Sequence, residues 1–336
     1  SQARRHIAGV WRMREEDLPG AGKSACEMMR AFGGEIRALF SLGFNFGVSA
    51  PAAASVLAGL AKLDFFCTAD FFLSETARMA DVVLPAAMWA EEEGTITNLE
   101  GRVLRRRRAF APPKSVRTDL EIICELAARL GKGEQFAFIC AEEVFDELRR
   151  ASRDGSADYS GISYDRLDAG EVLYWPCPSD AHPGTPRLFA DIFATPNGRA
   201  RFHAVRHAPV QEEPDDEFPF YLTTGRVLAH YQSGAQTRRI EKLHDLAAHP
   251  RAEMHPKVAG LYGLCDGDSV NLVTRRGMAK FKVRVTAAIR EDTIFAPFHW
   301  GDEESVNLLT NPALDPVSGM PEFKVCAVRV EREDSR

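Results

Sequence analysis

The densest gathering of groups able to grip a ligand lies in residues 221–240, YLTTGRVLAHYQSGAQTRRI. Arg226, His230, Gln232, Ser233, Gln236, Thr237 and Arg238 place guanidinium, imidazole, amide and hydroxyl groups within one short stretch. A guanidinium donates two parallel bonds from a planar fork, so the natural partner is phosphate or another anion. The apolar run FPFYL just before it has strand length and composition, and Thr223, Thr224 and Gly225 end the ladder where a backbone can approach something closely. Two readings stand side by side: an anion-binding loop at a strand end, or an ordinary solvated loop, since short polar motifs recur by chance.

The elements that must position this loop follow from periodicity. EIRALFSLGFN reads as a buried strand ending in Gly43, Phe44 and Asn45, residues 52–63 as a helix, and DFFCTAD as a second strand. Strand, helix and strand with short joins predict a parallel sheet, where ligands sit at the carboxyl ends; Asn45 and Asp70 stand at two of them. Ser74 caps a short helix in SETARMA, with Glu75 in its first turn, and DVVLPAA reads as another buried strand. The three carboxylates of AEEEG could serve a metal or acid–base chemistry, or form a solvated turn. Residues 117–131 make the clearest helix: Thr118 and Glu121 form a capping box, Ile122, Ile123, Leu126 and Leu130 share a face, and Gly131 ends it. Asp119 there complements the helix dipole. Residues 141–152 form an amphipathic helix through Val144, Phe145 and Leu148. Residues 153–219 read as irregular, and QEEPDDE as a linker that sets a boundary near residue 214.

The last third is rich in strands. In MAKFKVRVTAAI, Ala279, Phe281, Val283 and Val285 alternate with Lys280, Lys282 and Arg284, the period of a half-buried strand. With SVNLVT, TIFAPFHW and one helix in HPKVAGLYGL, the pattern predicts a closed barrel.

Composition narrows the function classes. With 336 residues, 45% of them hydrophobic, the chain can bury two sizeable cores. Its apolar runs fall short of the roughly 20 residues a spanning helix needs. A net charge of −6 supplies no basic field for nucleic acid, so RRRR at 105–108 reads as hairpin surface. Seven cysteines without a C-x-x-C pair argue against a zinc or iron–sulfur site held by this chain alone, and the odd count suits a reducing cytoplasm. GKS at 22–24 lacks the first glycine of a phosphate-binding loop. The opening SQARRHIAGV has no methionine, so the start is expected not to be the native one.

TTGRVLAHYQSGAQTRR resembles the signature of the molybdopterin dinucleotide-binding domain in molybdenum oxidoreductases, a family of nitrate reductases, formate dehydrogenases and dimethyl sulfoxide reductase relatives. Three further blocks match in the same order: ADVVLPAAMWAEEEGTITNLEGRV, RTDLEIICELAARLG, and NLLTNPALDPVSGMPEFKVCAVRV, the last most similar to assimilatory nitrate reductases. The resemblance implies an α/β chain: a Rossmann-like parallel-sheet region over 1–213, the C-terminal part of that core, then a six-stranded double-psi β-barrel over 214–336. It implies cofactor-binding roles for Asn45, Ala69, Asp70, Glu92, Asp119, Thr224, Gly225, Arg226, Val227, Leu228, His230, Tyr231, Gln232, Ser233, His299 or its neighbour Trp300, Asn307 and Lys324. Asp119 would contact a guanine. The chain departs from the family in reading NFGVSAP where many relatives have asparagine-proline, and in Glu92 where one has lysine.

The implied activity is reduction of nitrate to nitrite by oxygen-atom transfer at molybdenum held by two molybdopterin guanine dinucleotides. Electrons would come through a 4Fe-4S cluster from ferredoxin, flavodoxin or an NAD(P)H-dependent flavin partner in the cytoplasm. The family carries the cluster cysteines and the metal ligand upstream, so no catalytic residue or metal ligand is expected in this chain. Alone it is expected to be inactive. The alternatives are a formate dehydrogenase catalytic subunit and a nucleotide-binding module without redox chemistry.

Overall fold

The computed structural model describes residues 1–333. Among them twelve strands are formed: β1 (Ala38–Leu42), β2 (Phe65–Asp70), β3 (Val82–Pro85), β4 (Gly94–Thr97), β5 (Arg102–Arg106), β6 (Leu173–Tyr174), β7 (Phe220–Gly225), β8 (Arg251–Met254), β9 (Ser269–Thr274), β10 (Gly277–Val285), β11 (Thr293–Pro297) and β12 (Cys326–Arg332). They make two three-stranded sheets and a closed barrel. By contact the chain forms two compact units, residues 1–22 with 85–206, and residues 23–84 with 207 onward. No helix is long and apolar enough to cross a membrane.

The second unit holds the parallel sheet and the barrel. β1 pairs with β2 in parallel, Ala38 opposite Phe65, and the sheet order is β1-β2-β3. Only the central strand is buried along most of its length. Phe66 and Ala69 are nearly inaccessible, whereas Phe40, Leu42 and Val82 on the edge strands are exposed. The expectation that EIRALFSLGFN and DVVLPAA form buried strands is corrected accordingly: an edge strand has a neighbour on one side only, so an apolar run does not by itself secure burial.

The barrel order is β10-β8-β11-β7-β12-β9, with β10–β8 and β11–β7 parallel and the remaining neighbours antiparallel. Closure leaves no free edge. Leu222, Met254, Leu272, Val283 and Ile294 fill its interior. The alternation read in β10 is realised with Ala279, Phe281 and Val283 inward, so closed six-stranded architecture and side-chain direction both match expectation. QEEPDDE is no free linker. Glu212 pairs with Arg275 and Arg276, and Asp215 pairs with Arg275 and accepts from Phe218 N. Opposite charges brought together by the β9–β10 turn hold a segment whose composition alone reads as solvated.

In the first unit, β4, β5 and β6 form an antiparallel sheet. Its core includes Val103, Phe145, Ile162, Tyr164, Leu173 and Cys177, so part of the stretch expected to be irregular is packed interior. Arg105 is largely covered over the Tyr164 ring at 4.0 Å, and the half-buried Arg106 faces Glu92, so half of RRRR is packed against neighbours rather than free hairpin surface. The helix Asp119–Arg129 has its capping box, but it buries Ile122 and Ala127 and leaves Leu130 exposed. Likewise Phe145 alone is buried in the helix Ala141–Ala151.

Candidate functional site

β7 feeds the loop of residues 225–240, and two clamps, one buried and one half-buried, hold that loop in the second unit. The first is His299, fully buried just beyond β11. Its Nε2 accepts from Val227 N at 3.0 Å and its Nδ1 donates to Gln232 O at 2.6 Å, which assigns the neutral tautomer with the proton on Nδ1. Burial, reinforced by the neighbouring His230 and by Arg226 and Arg238, pushes its pKa down. His230 is buried beside it, donating through Nε2 to Ala247 O at 2.8 Å, and Thr237 Oγ1 reaches its Nδ1 at 3.1 Å. Trp300 packs edge-on to His230 and donates to Ala248 O. The second clamp is Arg238, whose guanidinium donates to Glu75 Oε1 at 2.7 Å.

These clamps turn an inner set of candidate residues inward. Thr224 is buried and donates to Phe323 O. Asn307 is buried, with Nδ2 donating to Val48 O at 2.6 Å and Oδ1 accepting from Thr310 Oγ1. Asn45 is buried as well: Oδ1 accepts from Thr76 N and Oγ1, and Nδ2 donates to Glu75 Oε2 at 2.8 Å. Ala69 is buried and accepts from Gly43 N. Asp70 accepts from Phe72 N and Ser74 Oγ, so its oxygens organise the turn after β2. Gly225 owes its identity to packing, because a Cβ there would fall 2.5 Å from the Phe295 ring. The close approach expected at that glycine is made by the chain itself.

An outer set remains exposed: Arg226, Leu228, Tyr231, Gln232 and Lys324, with Val227 and Ser233 half-buried between the sets. Among the described residues neither Arg226 nor Lys324 has a carboxylate partner. Both flank the Phe298 ring, at 5.9 and 5.3 Å from its centroid, and Lys324 Nζ donates to Thr224 O at 3.0 Å. Partial burial first, then the charge of Arg226, pushes the Lys324 pKa down. Two neighbouring cations without a counter-charge form the electrostatic setting an anion neutralises. Arg238, counted in the sequence among the anion donors, is instead neutralised by Glu75. Phe298 and Glu75 were not singled out as site residues: a phenylalanine in an apolar strand and an acid in a helical first turn carry no local signal of these contacts.

Glu92 and Asp119 lie in the first unit. The three carboxylates of AEEEG follow a turn but are tied into the fold: Glu91 accepts from Met88 N, Glu92 from Asp119 N at 2.8 Å, and the exposed Glu93 faces Arg105. Asp119 is exposed, yet partial desolvation and then the charge of Glu92 push its carboxyl up, with Arg106 opposing. Among the described residues no donor reaches its carboxylate, so it is an open acceptor at a helix start.

The histidine clamp predicts a pH dependence. A folded-state pKa depressed below the ordinary 6.5 means that the unfolded chain binds the proton first. Stability is then full above about 6.5 and falls as pH drops from there toward the folded-state value, by up to about 1.4 kcal/mol per pH unit for each histidine. Urea unfolding at pH 7.5 and 5.5 should show this fall, and His299→Gln should be less stable at pH 7.5 with a shallower decline. Identical declines in the two proteins would remove His299 from the account.

With this geometry in place, comparison with known proteins adds the family context. The sequence matches the model for molybdopterin oxidoreductase over residues 6–129 and that for the molydopterin dinucleotide binding domain over residues 220–327. It is 46% identical to the assimilatory nitrate reductase catalytic subunit of Bacillus subtilis, over 97% of this chain and 46% of that protein. It is 42% identical to the F420-dependent formate dehydrogenase subunit alpha of Methanocaldococcus jannaschii, over 94% of this chain and 46% of that one. The chain thus spans about half the length of these curated relatives. Among solved structures, acetylene hydratase from Pelobacter acetylenicus shares the fold with a TM-score of 0.71 at 19% identity, covering 98% of this chain and 50% of that one.

Proposed function

The chain belongs to the molybdopterin oxidoreductase family, and from that premise we propose that it serves a molybdenum-dependent nitrate reductase as a cofactor-binding portion. One observation carries the placement of the cofactor: Arg226 and Lys324 share the Phe298 ring and meet no carboxylate among the described residues, beside an exposed loop in which Arg238 is neutralised by Glu75 and Arg239 lies over the Phe72 ring. A pterin guanine dinucleotide, with its phosphates, fits that donor set. Arg226 and Lys324 would meet the phosphates, exposed Tyr231 and Leu228 would offer apolar surface to the ring systems, and the loop from Val227 to Ser233 would supply backbone groups held by His299. Asp119 would accept from a guanine edge and thereby relieve its repulsion from Glu92. Asn45, Ala69, Asp70, Thr224, Gly225, His230 and Asn307 would act from behind, fixing the strand ends and the loop.

When bound, the molybdenum centre supplies oxygen-atom transfer, which takes nitrate to nitrite; the protein positions the cofactor and tunes its surroundings. The proposal includes a second dinucleotide, a 4Fe-4S cluster outside this chain, an electron donor such as ferredoxin, flavodoxin or an NAD(P)H-dependent flavin partner, and a cytoplasmic setting. The proposal also keeps a boundary near residue 214 between the α/β region and the dinucleotide-binding barrel, with the matched span 220–327 as its support. Formate oxidation is the second reading, favoured by the 42% identity to a formate dehydrogenase subunit.

The test is metal, pterin and guanosine monophosphate analysis of the full-length enzyme, with viologen-linked assays of nitrate reduction and formate oxidation. Bound molybdenum and pterin with nitrate turnover are expected. Formate turnover alone would select the second reading, and a protein without pterin would leave a binding module. In the same preparation Asp119→Asn should leave the apoprotein no less stable yet lower the retained guanosine monophosphate; equal retention would reduce Asp119 to a helix-start residue.

A further inference from the structure

We propose that Glu75 is a positioning residue for the dinucleotide, acting through Asn45 and Arg238 without touching the ligand; this rests on the cofactor reading above. Glu75 follows the carboxyl end of β2, and its side chain is only 9% exposed. One carboxylate oxygen accepts from Asn45 Nδ2 at 2.8 Å, beyond the carboxyl end of β1. The other accepts from Arg238 at 2.7 Å, in the turn Thr237–Arg239 that closes the ligand loop. Arg238 in turn donates to Ser233 O at 3.4 Å. The carboxylate therefore ties the crevice end of the parallel sheet to the loop leaving the barrel.

Space and charge both show a built junction. A Cβ on Gly301 would fall 2.7 Å from Glu75 Cγ, so no bulkier residue fits on that side without displacing the acid. A buried carboxylate without partners is costly, and here burial is outweighed by Arg238 and Asn45, which hold its pKa below the usual carboxylate range. The ion pair also takes Arg238 out of the anion-binding set; with Arg239 lying over the Phe72 ring, Arg226 and Lys324 beside Phe298 are the charges that would meet the ligand. A glutamate at this place sets where the loop sits and how many positive charges it presents.

The test uses full-length holoenzyme, with loss of bound cofactor followed as guanosine monophosphate released on acid hydrolysis after timed dialysis. Melts of the apo forms fix a temperature at which every variant is folded. Glu75→Gln puts a donor against either Asn45 or Arg238 and should speed cofactor loss about tenfold. Because the two residues act as one unit, Glu75→Gln with Arg238→Gln should lose cofactor no faster than the worse single variant. A purely structural acid would leave dialysis rates unchanged once folding is controlled, and that result, or additive losses in the double variant, overturns the proposal. If Glu75→Gln does not fold, Arg238→Lys, which keeps the ion pair, is compared with Arg238→Gln, which breaks it. Retention within about twofold for lysine and a tenfold faster loss for glutamine are expected; equal rates overturn it. An Arg226→Ala, Lys324→Ala double variant run alongside separates failures: if it loses cofactor and Glu75→Gln does not, only the positioning role falls, whereas retention in both sinks the placement of the cofactor.

Discussion

Replacing Arg226 and Lys324 together with alanine is expected to accelerate loss of the guanine dinucleotide by at least about a hundredfold while leaving the apoprotein about as stable as before. Each cation that donates to a phosphate contributes roughly 1.5–3 kcal/mol, so the pair is worth about 3–6 kcal/mol, or two to four powers of ten in affinity. The two share the Phe298 ring, so their effects will not add fully and the lower end is the safer expectation. Apoprotein stability is expected to change little. Truncation forfeits two cation–π contacts of about 0.5–1 kcal/mol each and the Lys324 bond to Thr224 O, but removes the partial burial of the Lys324 ammonium and its repulsion from Arg226, which in that order lower its pKa. Those contributions offset to within about 1 kcal/mol. Timed dialysis of holoenzyme and melts of the apo form report the two quantities independently. Unchanged retention, or a large drop in apo melting temperature, would mean that these cations serve the fold and not a ligand.

The second large effect concerns Gly234. Its φ of +71° is a left-handed conformation that costs a side chain about 1–2 kcal/mol, and a Cβ there would lie 2.4 Å from His299 O, a backbone atom behind a buried ring. Strain and overlap together place Gly234→Ala at roughly 2–4 kcal/mol of destabilisation. That corresponds to a fall in melting temperature of about 5–15 °C for a unit of this size. Gly267→Ala is the matched control: φ is +89° there and no atom lies within 4 Å of the added Cβ, so only the backbone strain is felt. The difference between the two melting shifts reports the overlap with His299 O together with the Arg238 side chain, whose Nε would lie 2.8 Å from the added Cβ. Because that contact sits between the ligand loop and its histidine clamp, Gly234→Ala should also shed cofactor faster than Gly267→Ala at a temperature where both are folded. Equal shifts in stability would show that the loop yields easily and that the clamp is soft.

What the sequence alone determined was mostly local. The capping box at Thr118 and Glu121, the strand ending at Gly225 and the alternation of Ala279, Phe281 and Val283 each follow from periods and hydrogen bonds within a few residues, and all are realised. The order of blocks likewise identified the parallel sheet followed by a closed barrel. Tertiary structure decided which of the polar residues are free. Arg226 and Arg238 are the same residue type in one loop, yet Arg238 meets an acid 163 positions away and Arg226 meets none among the described residues. Asn45 and Asn307 have their polar atoms committed to residues 31 and 259 positions away. Burial of the edge strands and of Arg105 depends in the same way on which neighbours cover them, which a one-dimensional apolar or charged run does not encode. Charge compensation and solvent exclusion are properties of pairs distant in sequence, and the long-range fold alone brings those pairs together.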